Sequence, residues 1–134
     1  MEDNQIEPSL KTYSLEFGTF DIYDNYILGV PNQDANMGID EARKIIDAVG
    51  YHFTGPFGYI GNRKNYNSVD PMAYLFAVRE VPHFRVMGVV NYSALGERFL
   101  EIERVVAESA DLKFNTFSKL GEAVTWVNDR LRTI

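Results

Sequence analysis

The sequence predicts an α/β domain built on a mixed sheet of five strands with four helices, in the order β-β-α-β-α-β-α-β-α. Three observations carry this. Two runs rich in aromatic and β-branched residues, Tyr13 to Tyr23 and Tyr26 to Val30, are separated only by Asp24-Asn25, which makes them an antiparallel hairpin. From Ile39 onward, stretches with helical apolar spacing alternate with short apolar runs, as in βα units with right-handed crossovers and a mostly parallel remainder. No internal repeat or low-complexity tract interrupts the alternation. Residues 13–134 therefore read as a single domain, preceded by a flexible tail, residues 1–12, of acids, amides and one proline without period.

In the first run Gly18 breaks the alternation, which suits a bulge or a twisted strand. Pro31 to Gly38 reads as a loop. Ile39, Ala42, Ile45, Ile46 and Val49 recur at helical spacing, with Asp40 and Lys44, and Arg43 and Asp47, one turn apart on the outer face. That helix ends at Gly50 or runs on to Phe53, and Gly55-Pro56 stops it. The third strand, Phe57 to Gly61, is short and apolar, as in a strand buried on both faces. A polar turn, Asn62 to Asn67, leads to a second helix starting at Ser68, whose run Met72 to Val78 leaves almost no polar face. After Pro82, Phe84 to Val90 makes the fourth strand. The longest helix is expected to turn Leu95, Phe99, Ile102, Val105 and Val106 inward, and Glu97, Glu101, Glu103, Arg104 and Glu108 to water. Leu112 to Phe117 makes the fifth strand. Ser118 then caps a last helix with the core stripe Leu120, Ala123, Val124, Val127 and Leu131.

The totals narrow the function. The 134 residues carry 13 Lys+Arg against 19 Asp+Glu, a net charge of −6, with no basic cluster, which argues against nucleic acid. There is no cysteine, so disulfides, thiolate metal sites and Cys nucleophiles are excluded. The N-terminus has no apolar core of a signal peptide, and no apolar run approaches the ~20 residues that span a bilayer, so a soluble cytoplasmic protein is expected. His52 and His83 lack partners at metal-ligand spacing. Gly55, Gly58 and Gly61 match neither the dinucleotide fingerprint nor the phosphate loop. Ser68 or Ser93 with His83 has no nucleophile elbow around it. No catalysis, cofactor or metal is expected.

Function is expected where a strand's carboxyl end meets the next helix, from Gly58 to Val78. Ser68 there reads as a helix cap, with Pro71 in the first turn. Asn62, Arg63, Asn65 and Asn67 read either as a solvated turn or, with Ser68, as contacts to an anion or a partner, Arg63 leading. Met72, Tyr74 and Phe76 on the apolar second helix are candidates for an interface with a partner or a second copy, if neighbouring helices do not cover them.

The phrases FGTFDIYDNYILGV, PFGYIGNR, NSVDPMAYLF, FRVMGVVN and FNTFSKLGEAVTWV, taken in order, resemble the SpoIIAA-like branch of the STAS (anti-sigma-factor antagonist) domains, also labelled STAS/SEC14, over roughly Tyr13 to Leu131. The resemblance implies a cytoplasmic, non-catalytic α/β domain that regulates by binding another protein, some members being switched by serine phosphorylation. The matching position for such a phospho-switch is Ser68, although the family's preceding acid is Asn67 here and its following glycine is absent. A phosphate there would add about −1.5 to −2 charges beside a helix N-terminus. The expected role is thus a regulatory, protein-binding module, with a homodimer through the apolar second helix as one form of association. The alternative is a carrier or sensor for a small apolar or anionic ligand, lipid-like or nucleotide, with the aromatic residues lining its pocket.

Overall fold

A computed structural model describes residues 8–134, apart from the side chain of Leu95. Strands β1 (Lys11–Leu15), β2 (Gly18–Ile22) and β3 (Tyr26–Pro31) form an antiparallel meander. The short β4 (Asn36–Met37) precedes α1 (Ile39–Ile45), which widens into a π-helical turn over Ile46–Gly50. Next come β5 (Phe57–Arg63), the short β6 (Ser68–Val69), α2 (Met72–Glu80), β7 (Phe84–Asn91), α3 (Ala94–Ser109), β8 (Lys113–Phe117) and α4 (Leu120–Arg132).

The main sheet has six strands in the order β1-β2-β3-β5-β7-β8, with β3, β5, β7 and β8 parallel. The sixth strand arises because the run Tyr13 to Tyr23 is itself a hairpin, turning at Glu16-Phe17. Gly18 is not a bulge but the first residue of β2, where a Cβ would lie 2.6 Å from the Val30 carbonyl oxygen. β1 starts at Lys11, and the Leu10 N–H donates to the Ile22 carbonyl, so the strand reaches two residues into the segment read as a tail. Of that tail, residues 1–7 lie outside the described residues. The expected loop Pro31 to Gly38 contains β4, which pairs in parallel with β6 as a separate two-stranded sheet.

From β3 to β8 every crossover moves the same way along the sheet, and right-handed crossovers then place their helices on one face. α1, α2 and α3 cover that face, where Phe20, Ile27, Met87 and Val89 join Ile45, Ile46, Tyr74 and Leu100 in one core. α4 follows the last strand and folds under the other face, setting Leu120, Ala123 and Val127 on Ile60, Val86 and Val90. Its close approach depends on Gly58, where a Cβ would sit 2.6 Å from Val127 Cγ1. α4 begins at Leu120 with Lys119 at the cap position and no side-chain cap bond, so Ser118 does not cap it.

The largest departure from expectation is the rotation of α3. Leu100, Glu103 and Ala107 are buried, while Phe99, Ile102 and Val105 are 55%, 56% and 61% exposed. Val106 is half-buried, and the Leu95 side chain lies outside those described. An apolar stripe shows that a helix is two-sided but not which side meets the sheet. Here a buried ion pair fixes the rotation. Lys44, expected to pair along its own helix, instead reaches Glu16 at the β1–β2 turn, 3.3 Å away. Among the described residues no helix is long and apolar enough to cross a membrane.

Candidate functional site

β5 extends two residues beyond the expected strand end, so Asn62 and Arg63 belong to the strand, not to the turn. Strand alternation then sends them to opposite faces. Asn62 shares the α4 face with Ile60 and is 1% exposed, its Oδ1 having no hydrogen-bond partner. Arg63 points beneath α2 and α3. Its Nη1 donates to Glu103 Oε2 at 3.0 Å and its Nη2 to Glu103 Oε1 at 2.5 Å, a bidentate pair with side chains only 9% and 3% exposed. The Tyr74 hydroxyl donates to Glu103 Oε1 at 2.5 Å and accepts from Arg63 Nη2 at 3.3 Å. One strand and two helices are thus joined by three side chains.

The electrostatics follow from the burial. Desolvation works against the Arg63 charge, but the hydrogen bonds and charges of Glu103 and Tyr74 outweigh it, and the guanidinium is held protonated beyond its ordinary range. Desolvation, reinforced by the Glu103 charge, pushes the Tyr74 hydroxyl well above the usual phenol value. Tyr59, on the same face of β5, is raised by desolvation, which the Arg63 charge opposes. Its hydroxyl lies over the backbone of β3, where a Cβ on Gly29 would sit 2.0 Å away. Only glycine leaves that ring its place.

Beside this network lies a partly open cavity of about 100 Å³ between the sheet and helices α1 and α2. Phe57, Tyr59 and Met87 form its floor, Ala42, Ile46 and Ala73 its helical wall. Phe53, Phe57 and Phe84 stack at its base, with ring centroids 4.4 and 5.7 Å apart. The β4–β6 pair contributes Met37 and Val69 to the lining, and Asn67 sits beside them.

The residues singled out in the sequence are placed as follows. Ser68 lies in β6, exposed, and its hydroxyl donates to Asn36 Oδ1 across the pair. It is not a helix cap, since α2 starts at Met72, whose N–H donates to Asp70 Oδ1 at 3.0 Å. Asn65 Nδ2 donates to the Pro31 carbonyl at 3.2 Å and ties the turn to β3. Asn67 is 9% exposed, with Nδ2 donating to the Ser68 carbonyl at 3.4 Å and Oδ1 unpartnered. Met72 is 50% exposed, Tyr74 is buried in the ion-pair network, and Phe76 is half-buried under the Arg43 guanidinium, 4.7 Å from its ring centre. The Arg63 charge, the leading anion contact in the sequence reading, is taken up by Glu103.

Sequence reasoning passed over Glu103, Asp70 and Tyr59. For Glu103 a signal existed: Leu100, Glu103 and Ala107 have helical spacing, and a carboxylate among them would need a cation such as Arg63 at the end of an apolar strand. Asp70 before Pro71 is a helix-start signal in its own right.

No protein-family model and no curated protein sequence matches the chain. Among solved structures, it is similar to an uncharacterized protein of the DUF3478 family from Shewanella loihica PV-4, described as having a SpoIIAA-like fold. The TM-score is 0.50 at 9% identity, over 91% of this chain and 98% of that one. The fold is therefore SpoIIAA-like, a mixed α/β sheet with three helices on one face and one on the other.

Proposed function

We propose that this chain is a non-catalytic regulatory module that acts by association, and that α3 is its contact surface. The observation carrying this reading is the outward stripe Phe99, Ile102 and Val105, each more than half exposed on a helix whose inner side is fixed by Glu103. Single exposed apolar residues are ordinary, whereas a continuous row along one helix is the pattern that partner helices cover. On α2, Met72 is also 50% exposed. A second copy of the chain is the occupant to test first. Phe99 and Val105 lie three residues either side of Ile102, so two antiparallel α3 helices crossing at Ile102 would set each Phe99 against the other's Val105, as a two-fold interface requires. Met72, rather than Tyr74, is then the α2 residue available to a partner.

The test compares wild type with Ile102→Glu by sedimentation velocity over a concentration series, and by capture from lysate. Because Ile102 is exposed, the variant should unfold at the wild-type temperature. Association that the variant loses at unchanged stability supports the reading. Identical behaviour of both proteins, whether associated or monomeric without a captured partner, means that the stripe is only solvated surface.

A further inference from the structure

We propose that the cavity between β5, α1 and α2 binds a small neutral molecule with a compact apolar body and one hydrogen-bond donor. Size sets the first limit. An apolar cavity of ~150 Å³ accepts benzene. At about 100 Å³ this one suits a slightly smaller body, on the order of four to six non-hydrogen atoms. The lining is almost wholly carbon, from the aromatic floor to Ala42 and Ala73 on the helices, so the body of the ligand is apolar.

The polar end is set by Asn67. Asn67 is among the lining residues, is more than nine-tenths buried, and its Oδ1 is an acceptor with no partner among the described residues. A buried carbonyl left unpaired keeps its full desolvation penalty, and a donor brought by a ligand offsets it. Tyr59 also lines the cavity, with its hydroxyl over the β3 backbone at Gly29. Charge sets the last limit. Arg63 reaches the cavity wall, but its guanidinium already meets both carboxylate oxygens of Glu103. An anion entering here would find no uncompensated cation and would lose its hydration in a carbon-lined space. The small-ligand alternative thus narrows from apolar or anionic to neutral and donor-bearing.

Three of the chain's four methionines provide the readout, since Met37 and Met87 line the cavity while Met72 lies outside it, half exposed on α2. The full chain, isotope-labelled at the methionine methyls, is titrated by NMR with n-butanol, with methyl propyl ether, which has no donor, and with butyrate, which is charged. Saturable shifts of Met37 and Met87 with a still Met72 are expected for n-butanol, with the ether and butyrate each about tenfold weaker. Asn67→Ala should weaken n-butanol about tenfold and leave the ether unchanged. Absence of saturable Met37 and Met87 shifts with every probe overturns the site. Equal binding of n-butanol and the ether overturns the donor assignment, and tighter binding of butyrate overturns neutrality. If Asn67→Ala does not fold, the ranking of the three probes on wild type still decides.

Discussion

Removing one partner of the Arg63–Glu103 pair tests what holds the helical face to the sheet. Exposed ion pairs contribute 0–1 kcal/mol as a rule, but with side chains 9% and 3% exposed this pair belongs to the buried class. Glu103→Leu leaves the Arg63 guanidinium buried with only the Tyr74 hydroxyl as a partner. The expected cost is about 3–5 kcal/mol, most of it the penalty of an uncompensated buried charge. Arg63→Met leaves the Glu103 carboxylate equally stranded at a similar cost of about 3–5 kcal/mol. The double variant removes both charges from a region already lined by apolar groups and should return to within about 1–2 kcal/mol of wild type. A coupling energy of several kcal/mol, favouring the double variant over the sum of the singles, is the signature. Urea denaturation of the four proteins, with slopes compared so that a changed unfolded state is recognised, supplies the numbers. A domain of this size has about 5–15 kcal/mol of stability, enough for the single variants to keep a measurable folded baseline. Singles that each cost under about 1 kcal/mol, or a double variant as unstable as their sum, would refute the argument.

Two further outcomes concern Tyr59 and the start of α2. Tyr59 and Tyr74 hold their protons above the ordinary phenol pKa. Their contribution to stability is therefore complete below about pH 10, and is lost as pH rises above it, because the unfolded chain releases protons that the native chain keeps. In the difference between wild type and Tyr59→Phe, this appears as about 1.4 kcal/mol per pH unit in favour of the variant above pH ~10. A difference that stays flat in urea melts across that range would show that Tyr59 titrates normally. At the start of α2, Asp70→Ala should cost about 1 kcal/mol by removing the acceptor of the Met72 N–H, while Ser68→Ala should stay within about 0.5 kcal/mol. Thermal melts that rank the two the other way would restore Ser68 as the cap.

The sequence marks the stretch Gly58 to Val78 but not what its side chains touch. Gly58 to Val78 does hold the carboxyl end of β5, and Arg63, Asn67 and Tyr74 all converge there. What each does was not legible. The sequence sets Arg63 in the turn, as solvated or as an anion contact, because it marks a strand's end only to within a residue or two, and in a strand each residue of extension changes the face. For Tyr74 the sequence leaves both an interface and cover by neighbouring helices open, because a helix apolar on every side carries no phase, and its orientation is set by a hydrogen bond to a residue 29 positions later. Glu103 reads as solvated because glutamate seldom sits inside a protein unpaired, and its partner lies 40 residues earlier.

By itself the sequence determined the fold class, the succession of main-sheet strands and helices from β3 onward without the short β4–β6 pair, and the core stripe of α4. Those depend on hydrophobic period and on Gly and Pro punctuation, which are local properties of the chain. Tertiary structure alone decided the rotation of α3, the inward turn of Arg63, the cavity beside it and the outward stripe around Ile102. Each of these depends on two segments far apart in sequence meeting in a low-dielectric interior. There a single buried charge, which must find its partner, outweighs the preference of three apolar side chains for the core.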